Sequence, residues 1–97
     1  MNCDDEELKA TKEKSANELF EELGYEKRMD KDDNPNYITY IKYNNDPSSG
    51  ITISFSLNYK TICADTFDED YEINVAYCIR PLELKAINKK CEELGWI

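Results

Sequence analysis

The hydrophobic positions along the chain change period twice, from helical to alternating and back to helical. Ser15-Ala16-Asn17-Glu18 carries a capping-box signature. In it the serine hydroxyl accepts the Glu18 amide proton, and the glutamate carboxylate reaches back to the Ser15 amide. Ala16, Leu19, Phe20 and Leu23 then fall at i, i+3, i+4 and i+7, one apolar stripe. Gly24 ends this helix in the left-handed conformation, and Tyr25 just beyond it folds back as the hydrophobic contact. Upstream, residues 4–14 hold good helix formers with Leu8 and Ala10 as apolar anchors, which reads as a partly ordered helical extension.

Alternation takes over next. Tyr25–Met29 reads as a short first strand, Asp30–Asn36 as a polar turn, and Tyr37–Tyr43 as a β-branched, aromatic strand. Its two faces, Tyr37/Thr39/Ile41/Tyr43 and Ile38/Tyr40/Lys42, leave the inward side open. After the Asn44–Gly50 loop, Ile51, Ile53, Phe55 and Leu57 alternate with Thr52, Ser54 and Ser56, a half-buried strand with one wet face. Asn58-Tyr59 predicts a tight two-residue hairpin into a fourth strand, Lys60–Asp65, followed by an acidic loop, Asp65–Asp70. A fifth strand sets Tyr71, Ile73, Val75, Tyr77 and Ile79 on one face, with Tyr71 and Tyr77 expected in the core.

Arg80-Pro81 closes that strand and starts a helix running to about Leu94. Its expected seam is Leu84, Ile87, Cys91 and Leu94, with Gly95 as the cap and Trp96 in the role of Tyr25. Short connections favour an antiparallel meander, and strands with one polar face put both helices on the other. The expected fold is therefore α+β. It is a two-layer sandwich in which an N-terminal and a C-terminal helix flank an antiparallel sheet of four to five strands. It forms one domain over residues 14–97, preceded by an acidic extension over 1–13.

Composition agrees with a single core. At 97 residues, 40 % hydrophobic and 11 % aromatic, the chain is too apolar for disorder even with 34 % charged residues. No apolar run approaches the ~20 residues of a membrane span. The start, Met1-Asn2-Cys3-Asp4-Asp5-Glu6-Glu7, is acidic where a secretory signal is basic, so a cytoplasmic location is expected.

The net charge of −9 is uneven. Residues 1–33 hold 12 acids against 6 bases, residues 34–79 hold 6 against 2, and residues 80–97 hold 3 against 4. Such a field repels phosphate backbones, which argues against direct nucleic-acid binding and for a basic protein partner. Solubility alone would also account for it.

Catalytic templates find no match. With no histidine there is no Ser–His or Cys–His nucleophile, and the lone glycines at 24, 50 and 95 make no phosphate loop. Glu21/Glu22 and Glu92/Glu93 are neighbours on helices and read as solvated faces. Cys3, Cys63, Cys78 and Cys91 lack zinc-ligand spacing and are expected to be reduced; Cys91 reads as a small hydrophobe on a helix, and Cys63 and Cys78 as strand residues. The 65–72 stretch lacks the glycine and spacing of a calcium hand, leaving at most a weak divalent-cation site. No catalytic residue, cofactor or metal ligand is therefore assigned.

The tyrosines are more informative. At least one of Tyr37, Tyr40 and Tyr43 should be left partly exposed, and exposed aromatics beside acids suit protein recognition. The candidate partner-binding residues are Asp65, Asp68, Glu69, Asp70, Glu72 and Tyr40, with cross-strand pairing on the sheet surface as the structural alternative.

The segments Ser15–Lys27 (SANELFEELGYEK) and Leu84–Trp96 (LKAINKKCEELGW) are each an amphipathic helix ending in a glycine cap. Together they resemble the ends of a group of small uncharacterised proteins encoded in phages and prophages of low-GC Gram-positive bacteria. The resemblance spans roughly residues 14–97, and residues 1–13 depart from it. It implies an accessory gene product acting in the host cytoplasm and supplies no catalytic residues. With the charge and size, it leads to the expectation of a non-enzymatic protein that binds a protein partner. In its sharper form this is an acidic DNA mimic that inhibits nucleic-acid-binding host defence machinery, an anti-CRISPR or anti-restriction protein. The alternative is a self-associating structural or regulatory module of the phage, a homo-oligomer with no inhibitory role.

Overall fold

The computed structural model describes residues 14–28 and 36–97. The expected helical extension, Cys3 and most of the polar turn after Met29 lie outside the described residues. Helix α1 is Ala16–Glu22 and helix α2 is Pro81–Glu93. Between them run β1 (Glu26–Lys27), β2 (Tyr37–Tyr43), β3 (Ser49–Ser56), β4 (Thr61–Asp68) and β5 (Ile73–Ala76). The five strands form one antiparallel sheet in the order β1-β2-β3-β4-β5, with both helices packed on one side of it.

The helix ends are built as the sequence predicts. The Glu18 amide donates to the Ser15 hydroxyl oxygen at 3.1 Å, and the Ser15 amide to the Glu18 carboxylate at 2.8 Å. At the other end Gly24 takes φ +94°, which lets the Tyr25 amide reach the Phe20 carbonyl at 2.9 Å. The same closure recurs where the Trp96 amide meets the Cys91 carbonyl. With 7 residues, α1 is shorter than the ~12–15 that hold a helix alone in water, so packing must secure it. Phe20 supplies that packing. It is fully buried, stacks on Tyr40 with 4.0 Å between centroids, and meets Phe55 edge-on at 6.3 Å.

Register decides which face each strand residue takes. Tyr40 lies opposite Ile53, and Ile53 opposite Ala64; Ile38 lies opposite Phe55. This row faces the helices, and with Phe20, Tyr25, Ala86, Ile87 and Cys91 it forms the core. The ambiguity over β2 is thereby settled: Ile38 and Tyr40 point inward, while Tyr37 and Tyr43 remain about half exposed on the opposite face.

Three expectations need correction. The hairpin after β3 has four residues, Leu57–Lys60, because Ser56 pairs with Thr61 and the Lys60 amide returns to the Ser56 carbonyl at 2.8 Å. Strand β4 continues to Asp68, so Asp65, Phe67 and Asp68 are strand residues and not part of a loop. Strand β5 is only Ile73–Ala76; Cys78 lies beyond it, and Tyr71, 73 % exposed, is no core residue.

The seam of α2 is also rotated from the expected one. Leu84 is exposed, and the buried stripe is Glu83, Ala86, Ile87, Lys90 and Cys91. Both charged members find partners. Glu83 accepts from the hydroxyls of Tyr25 (2.8 Å) and Tyr77 (2.9 Å) and from the Arg80 amide (2.8 Å). Lys90 lies 3.8 Å from Glu93 and 6.0 Å from the centre of the Tyr40 ring. Glu93 in turn accepts the Ala16 amide at 2.8 Å, so the last helix completes the first turn of the first one. Among the described residues no helix is long and apolar enough to cross a membrane.

Candidate functional site

The second face of the sheet carries no helix among the described residues and holds the features that most resemble a recognition surface. One cross-strand row on it runs Tyr43, Gly50, Phe67, Asn74. The next row runs Glu26, Ile41, Thr52, Asp65, Ala76. Gly50 shapes the surface. A Cβ there would fall 2.3 Å from the Lys42 carbonyl oxygen and 3.0 Å from the Phe67 ring, so only glycine fits between the flanking aromatics. Across that gap Tyr43 and Phe67 meet edge to face, with centroids 6.2 Å apart and ring planes at 87°. Beside them lies a concavity of about 370 Å³, whose walls include Arg28, Thr52, Asp65, Phe67 and Glu69.

Most of the predicted acids gather at one end of this face. Asp65 is half-buried in the groove wall, and Glu69 lines the same groove. A smaller adjoining hollow is bordered by Asp68, Glu69, Glu72 and Phe67. The turn holding these acids is tied to the β2–β3 loop. The Glu69 amide donates to the Ser48 carbonyl at 2.8 Å, the Ser48 hydroxyl to Asp70 at 3.2 Å, and the Asp70 amide to Asp68 at 3.1 Å. Among the described residues no group of three or more potential ligands converges on a metal position.

Tyr40 does not belong to this set. It is 1 % exposed, stacked on Phe20, and its hydroxyl donates to Asn17, so it has no surface to offer a partner. Near the acids, Tyr43 and Tyr71 are exposed, and Phe67 is half-buried against Tyr43. The local pattern does not single out Phe67, because Asp65–Asp70 reads as an acidic loop. Continuing the alternation of Cys63 and Asp65 by one step would have put Phe67 on their face.

A second polar cluster sits under the helices. Burial alone would push the Glu83 carboxyl up, but the Arg80 amide and the Tyr25 and Tyr77 hydroxyls outweigh it and hold the group below its ordinary range. Burial and the nearby carboxylate push both tyrosines upward. Tyr40 is likewise pushed up to about 12, by burial and then by Glu93. The carboxylate is thus held ionised and the phenols protonated, whereas a general acid or base is tuned toward neutrality.

No family model matches this chain, nor does any curated protein or solved structure.

Proposed function

We propose that this protein is a non-enzymatic binding module that presents the open face of its sheet to a basic protein surface. The observation that carries the reading is the placement of Asp65 and Glu69 around the Tyr43–Phe67 pair, beside a groove on an uncovered face. Aromatics give contact area at little entropic cost, and acids at the rim favour a positively charged partner and speed encounter with it. The chain's −9 charge adds long-range attraction of the same sign. The phage-like helix ends narrow the partner to nucleic-acid-binding host defence machinery, whose basic channel an acidic face would occupy as a DNA mimic. The ionised Glu83 and protonated tyrosines read as a structural clamp, in keeping with a protein that performs no chemistry.

The test is capture from lysate of a low-GC Gram-positive bacterium at low salt, using the wild type beside Phe67→Ala and Glu69→Lys. Recovery of a basic, nucleic-acid-binding protein that both variants lose and added duplex DNA displaces would support the reading. Recovery of no basic protein, or equal recovery by the variants, would sink it.

A further inference from the structure

Cys63 lies in β4, and Cys78 follows shortly after the end of β5. The register brings the two together. Asp65 pairs with Ala76, and the Tyr77 amide donates to the Ala64 carbonyl at 2.9 Å, which carries the ladder one residue past the end of β5. The next residue on that register, opposite Cys63, is Cys78. Positions flanking such a bond are of the non-hydrogen-bonded kind, where facing Cα atoms lie about 4.5 Å apart and side chains are closest. Both cysteines also share a face. Cys63 stands two residues from Asp65 on the open side and pairs with Ser54, whose hydroxyl meets that of Thr39 at 3.3 Å. Tyr77 sends its hydroxyl under the helices to Glu83, so the residue after it turns to the open side. Both thiols are free and exposed, whereas Cys91 is buried among the helices.

We infer that Cys63 and Cys78 form a redox site, a dithiol that closes into a cross-strand disulfide on meeting a low-molecular-weight disulfide. A disulfide joins residues whose Cα atoms are about 4.4–6.8 Å apart, so facing positions close with little backbone movement. One cysteine thiolate attacks a sulfur of the small disulfide and expels a small thiolate, leaving a mixed disulfide. The second cysteine thiolate attacks the protein sulfur of that bond and expels the other small thiolate. Two electrons pass to the small disulfide, one S–S bond forms as another breaks, and the two cysteine protons end on the two small thiols. Among the described residues no third ligand joins the pair, so thiol–disulfide exchange suits it better than metal binding. The bridge ties the chain beyond β5 to β4, on the same face as Asp65 and just before the turn into α2. It does not rest on the protein-binding reading.

Incubating the reduced protein with hydroxyethyl disulfide tests it, an oxidant whose lack of charge avoids repulsion by a chain of net charge −9. Remaining thiols are then alkylated, and the chain is cut at the acids between the two cysteines for mass spectrometry. The expected product is a single chain with Cys63 linked to Cys78, which dithiothreitol reopens. In mixtures of the disulfide and mercaptoethanol, the equilibrium constant for closure should be about tenfold or more larger in the folded chain than in urea, because the register holds the thiols facing. Cys63→Ser and Cys78→Ser should each stop at a mercaptoethanol adduct on the remaining thiol. Should either variant fail to fold, the wild type with and without urea carries the test. Adducts on both cysteines of the folded chain without closure would overturn the inference, as would two thiols that stay free. So would a link from either to another cysteine, or closure no more favourable than in urea.

Discussion

On the helix-covered face of the sheet, Tyr40 and Phe55 are closed in by Phe20 and Trp96, and the Tyr40 hydroxyl has a partner in Asn17. On the open face, Tyr43 and Phe67 meet each other across Gly50, with Tyr43 about half exposed. The same kinds of side chain thus do different work. Under the helices they are fully removed from water and hold α1 to the sheet. On the other side they keep contact area in reserve, and the acids stand around them. Residue type alone does not separate the two uses; register against the neighbouring strand does.

Substitutions on each side turn this contrast into measurements. The largest effect is expected from Phe20→Ala, which removes the ring that stacks on Tyr40. It should cost about 3–5 kcal/mol in urea unfolding, enough to leave α1 unheld. A loss no larger than that of Phe67→Ala would erase the distinction between the faces.

Next comes Glu83→Gln, expected to cost about 1.5–3 kcal/mol because three donors lose an ionised acceptor. Its pH dependence has a definite sign. The Glu83 carboxyl lies below its ordinary value of 4.5 in the folded protein. Its contribution is therefore present above the unfolded value and lost as pH falls through the folded one. Wild-type stability should decline through that acid window, and the glutamine variant should decline less. Equal slopes would mean that the clamp is not ionised.

The smallest effect is expected on the open face. Phe67→Ala should cost about 1–2 kcal/mol, from the partial burial of its ring and its contact with Tyr43, while abolishing partner capture.

Much of the fold was legible in local signals. The Ser15–Glu18 box, the glycine caps and the alternation of Ile51, Ile53 and Phe55 each carry their meaning within a few residues. The misreadings arose where the deciding partner lies far away in sequence. Glu83 and Lys90 are charged and lie outside the expected seam of α2, so nothing in the local pattern signals their burial. Tyr25, 58 positions upstream of Glu83, and the Tyr40 ring make their burial tolerable. Tyr40 was offered as a contact residue because β2 has apolar residues on both faces. Only pairing with Ile53 and stacking on Phe20 assign it to the core. Of the candidate site, the acids were visible as a cluster, but Phe67 and the role of Gly50 needed the register of β4 to appear.

The bond from the Ala16 amide to Glu93 spans 77 positions of chain. During synthesis α1 emerges long before the carboxylate that satisfies its first amide, and before β2 and β3, which bury its phenylalanine. The growing chain therefore carries an incomplete helix until α2 has been made and has docked. Assembly of the helical layer is in this sense a closing event.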